Sequence, residues 1–318
     1  MRTYISLLGL IVAVISVGAT FNTKPPTDKI TLGRRLFFDP ILSRNRTISC
    51  ATCHREEFAF ADTSATSPGV FGRKGKRNTP SAMNVLMQAN FFWDGRAATL
   101  EEQALMPIVN PDEMDLPIDV AVKRLNSSRL YRTYFKQVFG ELPTKANLAK
   151  ALAEFQQTLE TNESPLDDWR LNDNEAAVNE SAKRGFALFN GKANCVQCHF
   201  GPNFNNPDFR NIGLFDGKTL ADSGRAVVTK KASDLGKFKI GPLRNVALTA
   251  PYMHNGMFKT LGQVIDYYND PDKVVPNPIN RDPLLAKPLG LTNGEKADLV
   301  EFLRSLTDKR FLASAKPK

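Results

Sequence analysis

A mainly α fold in two similar halves is what this chain of 318 residues predicts, on three observations. A block of one design occurs twice: Leu32-Gly33-Arg34-Arg35-Leu36-Phe37-Phe38 precedes Cys50, and Lys183-Arg184-Gly185-Phe186-Ala187-Leu188-Phe189 precedes Cys195. Apolar residues recur at helical spacing in long segments, whereas strand-like alternation is short and rare. All four Cys and two of the three His fall inside two copies of one pentapeptide, Cys50-Ala-Thr-Cys53-His54 and Cys195-Val-Gln-Cys198-His199. At roughly 150 residues per domain the length also asks for two domains.

In chain order, the first element is a targeting segment. Met1-Arg2 is a short positive start, residues 5–19 are uncharged and apolar, and Val17-Gly18-Ala19 has the small residues of a cleavage site. The run has the length of a signal peptide and falls at or below the lower limit for a spanning helix, so residues 1–19 read as a cleaved signal. An uncleaved membrane anchor is the alternative. Either reading puts the rest of the chain outside the cytoplasm, in the periplasm.

The two repeated blocks are helix starts, each with a Gly that lets a later helix cross closely. In the second half that later helix is 296–306, with Leu299, Phe302, Leu303 and Leu306 on one face. A second strong helix is predicted over 147–161, where Leu148, Leu152, Phe155 and Leu159 form a core stripe opposite Lys150, Glu154 and Gln157. Asn162-Glu163-Ser164-Pro165 stops it, which places the domain boundary near 165–178 and divides the chain into 20–168 and 169–318. Loops at 61–80, 200–245 and 269–295 exceed ordinary connections and read as functional.

The pentapeptide has a mechanical logic. Two thiols add to the two vinyl groups of one haem, and the adjacent His becomes an axial ligand of the iron. The motifs consume every Cys, so a disulfide scaffold and a cysteine hydrolase are excluded. Two cytochrome c-like domains follow, each with one covalently bound c-type haem, on Cys50, Cys53 and His54 and on Cys195, Cys198 and His199. The opposite face of each iron decides function: filled, the haem carries electrons; open, it binds peroxide. From the residues alone, the sixth ligands are open among His254, the seven Met and the Tyr. The net charge is +9, with its densest basic run at Arg73-Lys74-Gly75-Lys76-Arg77. No aromatic interleaving or recognition motif accompanies that run, so it reads as a solvated loop and not as a nucleic-acid site.

The sequence resembles the bacterial di-haem cytochrome c peroxidase and MauG superfamily. The resemblance is carried by Leu32-Gly-Arg-Arg-Leu-Phe-Phe-Asp-Pro-Ile-Leu-Ser43, Thr47-Ile-Ser-Cys-Ala-Thr-Cys-His54, Phe92-Trp-Asp-Gly-Arg-Ala97, Leu100-Glu-Glu-Gln-Ala104, Leu243-Arg-Asn-Val-Ala-Leu-Thr-Ala-Pro-Tyr-Met-His254 and residues 289–306. It implies a peroxide-binding N-terminal haem and an electron-transfer C-terminal haem. By the same resemblance Glu113 is the distal acid that moves a proton between the peroxide oxygens. Gln103 is the distal amide, Pro107 crowds the iron, and Trp93 is the aromatic between the haems. Asn78, Thr249 and Pro251 match oxygen donors to a calcium ion between the domains, a donor set suited to Ca²⁺. His254 matches a structural position near the second haem.

Two departures bear on the branch. The loop 61–80 carries no His, where activation-dependent peroxidases hold one that blocks the first iron. Val264-Ile-Asp-Tyr-Tyr-Asn269 places Tyr268 where MauG-like enzymes have an axial Tyr; Met253 and Met257 are the fallback ligands. Both favour MauG-like oxidation of residues on a partner protein. The alternatives are a cytochrome c peroxidase fed by a small cytochrome or cupredoxin, and a non-catalytic di-haem electron carrier.

Overall fold

The computed structural model describes residues 24–312, so the expected signal segment lies outside the described residues. The first half holds α1 (Lys29–Phe38), α2 (Cys50–Cys53), α3 (Leu100–Val109), α4 (Ile118–Ser127), α5 (Arg129–Phe139) and α6 (Lys145–Gln157). The second holds α7 (Pro165–Leu171), α8 (Glu180–Asn190), α9 (Ala226–Thr229), α10 (Leu261–Asn269) and α11 (Asn293–Ser305). Between α8 and α10, the two-residue strands β1 (Phe209–Arg210) and β2 (Phe238–Lys239) pair antiparallel. The fold is mainly helical, as expected. Among the described residues no helix is long and apolar enough to cross a membrane.

Helix starts follow local chemistry. Asp28 accepts the Thr31 amide at 2.8 Å to open α1, and Thr292 and Glu295 form a reciprocal capping box on α11. Each half is then organised by one close helix crossing. A Cβ built on Gly33 of α1 would lie 1.8 Å from the Ala151 carbonyl oxygen of α6. One on Gly185 of α8 would lie 2.0 Å from the Asp298 carbonyl oxygen of α11. Phe155 and Phe302 complete the two crossings in matching positions. The α6 helix is therefore the first half's counterpart of α11, an equivalence the periodicity did not reveal. Leu32, Leu36 and Phe37 pack with Leu148, Leu152 and Phe155 in one core; Phe189 packs with Leu299, Phe302 and Leu303 in the other.

Three expectations need correction. Helix α6 ends at Gln157, not at 161. The Asn84 carboxamide takes over the backbone there, accepting from the Thr161 amide at 2.8 Å and donating to its carbonyl at 3.0 Å. The division at 168/169 cuts through α7, whose Leu166 and Trp169 belong to the second core, while Leu248 and Phe311 return to the first. Arg77 does not lie in a solvated loop. It is largely buried and bridges Asp94, in the first half, and Asp222, in the second, at 2.7 Å each.

Candidate active site

Helix α2 and the turn after it deliver Cys50, Cys53 and His54 to one wall of a cavity of about 860 Å³. The His54 Nδ1–H donates to the Phe60 carbonyl at 2.9 Å, since a carbonyl oxygen only accepts. That fixes the tautomer and leaves the Nε2 lone pair for a metal. Burial pushes the Cys50 thiol up to about 12 and the Cys53 thiol up to about 11, so both stay protonated before any covalent reaction.

Another wall is α3. Leu100, Gln103, Ala104 and Pro107 line the cavity at successive positions i, i+3, i+4 and i+7, one helix face. Pro107 falls in the last turn, where its missing N–H frees the carbonyl one turn back. The Gln103 Oε1 is buried and has no hydrogen-bond partner, although buried polar atoms are nearly always paired. Gln103 therefore carries a buried, unpaired acceptor on the helix face that lines the cavity.

After α3 the chain turns tightly and brings Glu113 to the same cavity. Burial raises its carboxyl above the ordinary glutamate range, opposed by the 2.7 Å hydrogen bond from Asn110 Nδ2 to Oε1 and by the Arg96 charge. The loop 61–80 closes over this turn. Val70 N–H donates to the Glu113 carbonyl at 2.8 Å, and a Cβ on Gly69 would stand 2.1 Å from the Asp112 oxygen. Ser67, Pro68 and residues 75–80 line the cavity from that loop, and Met114 reaches it from the core. Asn110 and Gly69 are functional candidates that motif reading missed. Asn110 was visible as an amide three residues before Glu113, but the need for glycine at 69 depends on a neighbour more than forty positions away, beyond the reach of any local pattern.

Trp93 also lines the cavity, clamped from both halves. Its Nε1–H donates to the Asn78 carbonyl at 2.7 Å, and its own carbonyl accepts from the Lys239 amide at 2.8 Å. Asn78 in turn donates its backbone N–H to the His254 carbonyl at 2.7 Å. Thr249 precedes the cis Ala250–Pro251 bond, of which Pro251 is part, just upstream of His254. His254 itself is buried and stacks on Phe238 with ring centroids 3.7 Å apart; burial pushes its imidazole down to about 4. Among the described residues no cluster of three His, Cys, Asp or Glu side chains stands ready for a metal.

The second pentapeptide repeats the first on its histidine side. His199 Nδ1–H donates to the Phe204 carbonyl at 2.9 Å, and Arg244, paired with buried Asp167 at 2.7 Å, donates its Nε–H to the Pro202 carbonyl at 2.6 Å in the loop beyond it. What surrounds it differs. Tyr267, Tyr268, Met253 and Met257 gather in one apolar cluster with Leu214 and Phe258. The Tyr267 hydroxyl is committed to the Ile212 carbonyl at 2.6 Å, and Met257 Sδ accepts from Asn255 Nδ2 at 3.7 Å. The Tyr268 hydroxyl makes no hydrogen bond among the described residues. Burial pushes it well above the usual phenol range, with Tyr267 and the Cys195 and Cys198 thiols adding to the effect. A tyrosinate here therefore needs a cation beside it.

The thiols, the fixed imidazole tautomers and the orphaned Gln103 oxygen fit a covalently held porphyrin. A family model described as di-haem cytochrome c peroxidase matches residues 27–176. The methylamine utilization protein MauG of Methylorubrum extorquens is 40% identical over 284 residues, covering 88% of this chain and 78% of that protein. The cytochrome c551 peroxidase of Nitrosomonas europaea is 40% identical over 289 residues, covering 90% and 81%. Among solved structures, a MauG-like protein associated with microbial copper homeostasis superposes with a TM-score of 0.81 at 32% identity, covering 91% of each chain. The diheme peroxidase BthA of Burkholderia thailandensis superposes at 0.80 with 26% identity, covering 91% of this chain and 88% of that one.

Proposed function

The chain belongs to the di-haem cytochrome c peroxidase family, and from that premise we propose that peroxide is cleaved over His54 and the oxidising equivalents are spent through the second site. As a family member it is a di-haem peroxidase, an oxidoreductase with two c-type haems that works with hydrogen peroxide and a protein donor or protein partner.

Cys50, Cys53 and His54 hold the first haem, and Cys195, Cys198 and His199 the second. When bound, haem iron supplies the electrons that split an O–O bond. Glu113 takes the proton from the inner peroxide oxygen and returns it to the outer one, which leaves as water. Its raised pKa brings it closer to the working pH than an ordinary glutamate, and the Asn110 hydrogen bond keeps one oxygen fixed while the other moves the proton. Gln103 Oε1 accepts from the peroxide O–H, and Pro107 keeps water out. The buried, unpaired Gln103 oxygen, on the helix face that lines the cavity with Glu113, is the single observation that carries this reading.

Trp93 passes the equivalents between the halves, supported by its clamp between Asn78 and Lys239. Tyr268 would hold the second iron in this reading, supported by its place beside the Cys195 and Cys198 thiols. Asn78, Thr249 and Pro251 hold a calcium ion, and a cation on Asn78 would stiffen the residue that positions the Trp93 ring. Residues 1–19 direct export to the periplasm, where c-type haem is attached.

Oxidation of residues on a partner protein, as in the MauG branch, is the favoured use, because the loop 61–80 has no blocking His and Tyr268 replaces a Met. EPR of the protein as isolated tests the open first iron: a high-spin ferric signal is expected, and two purely low-spin signals would reduce the protein to an electron carrier. Peroxide added with candidate partners, followed by mass spectrometry, tests the donor. New oxygen atoms or crosslinks are expected; turnover of a reduced small cytochrome or cupredoxin with no modified protein would assign the peroxidase branch.

A further inference from the structure

Lys239 is a cation of the second half built into the cavity wall of the first. It leaves β2 beside Trp93, whose carbonyl accepts the Lys239 amide, and its Nζ donates to Gln88 Oε1 and to the Asn90 carbonyl at 2.9 Å. Both acceptors are neutral, and among the described residues no carboxylate pairs with it. The other cations lining the cavity are already matched. Arg77 serves Asp94 and Asp222, Arg96 serves Asp94, and Lys76 points outward, largely exposed, toward Asp112. A buried ammonium without a counter-charge is costly, and such groups persist where a partner completes them. Here burial alone pushes the ammonium down to about 8.

A c-type haem is amphipathic in a way that meets this need. Its vinyl edge is consumed by the two thiols, and its two propionate carboxylates lie on the opposite edge. Lys239 and Gln88 line the same cavity as Cys50 and Cys53, and the Lys239 ammonium is held in that wall by Gln88 and the Asn90 carbonyl. We propose that Lys239 is the counter-charge of a propionate on the haem held by Cys50, Cys53 and His54, so that loading this haem ties the second half to the first beside Trp93. The inference rests on reading the cavity as a haem site, and it gives β2 a purpose that its two-residue pairing does not.

Spectroelectrochemical titration of the holoprotein tests it with Lys239→Met and Lys239→Arg. Removing a positive charge beside a propionate favours the ferric state, so K239M is expected to lower the midpoint potential of the first haem. The second haem's midpoint stays at its wild-type value, and K239R restores the first. An unchanged first midpoint in K239M with both haems present overturns the proposal, as does an equal shift on both haems. Where K239M is recovered without its full haem content, resonance Raman of the wild-type holoprotein decides. Propionate bending modes of the first haem that shift between H₂O and D₂O and differ between wild type and K239R support a lysine partner; modes identical in the two proteins overturn it. Failure to attach any haem at Cys50 and Cys53 in the wild type would instead refute the reading of the cavity itself.

Discussion

The two Cys-x-x-Cys-His segments are built alike on one side and differently on the other. Each histidine gives its Nδ1–H to a carbonyl five or six residues on, at 2.9 Å, and each half has one glycine-mediated helix crossing. Facing the first are an amide with an unpaired oxygen and a carboxyl raised by burial. Beside the second, Tyr268 is within electrostatic reach of the Cys195 and Cys198 thiols and belongs to an apolar cluster of tyrosine and thioether side chains. The Cys-x-x-Cys-His segment is repeated, and what surrounds the copies differs: a carboxyl and an amide at one, tyrosine and thioether side chains at the other.

The sharpest way to break that contrast is Glu113→Gln. Peroxide consumption is expected to fall by about 10²–10⁴-fold, the usual worth of a positioned proton carrier, with both haems retained by absorbance. Equal loss of haem and activity would make Glu113 structural. Next is Tyr268→Met, which should raise the midpoint potential of the second haem on the order of a tenth of a volt, out of the roughly 0.8 V that axial ligands span, and leave the first haem's potential in place. An unmoved second potential would pass the ligand role to Met253 or Met257.

Gly33→Ala and Gly185→Ala test the shared side. A Cβ at 1.8 or 2.0 Å from a backbone oxygen forces the helices apart. Overpacking of this kind costs ~1–3 kcal/mol, against a gain of about 1 kcal/mol in helix propensity for either variant. Both should lower the melting temperature by a few degrees and by similar amounts, read by circular dichroism; a lasting difference between them would deny the equivalence of α6 and α11. The smallest effect is expected from Asn110→Ala. Its hydrogen bond lowers the Glu113 pKa, so removing it raises that pKa further. Glu113 must be ionised to take a proton, so activity is lost as pH falls through its pKa. In the variant the acid limb of the pH–rate profile should therefore move to higher pH.

Much of this was legible in the chain. The crossing role of Gly33 and Gly185 followed from their places in matching blocks, and α11 from its apolar face. The end of α6 was misread because Asn84, seventy-seven residues away, competes for the backbone of Thr161. Arg77 was misread for the same reason: a basic run looks solvated until Asp222 is brought to it from 145 residues away. Lys239 and Gly69 drew no notice, since nothing in their immediate sequence marks them, whereas Asn110 was marked only by its spacing of three from Glu113.

The sequence by itself determined the two Cys-x-x-Cys-His segments and that the fold is mainly helical. Thioether chemistry, histidine ligation and helix periodicity act between neighbours a few residues apart. Only the tertiary structure decided which oxygen is left unpaired, which carboxyl is raised and which cation spans the two halves. Burial and charge pairing depend on groups that the chain brings together from far apart, and a linear pattern carries no record of those distances.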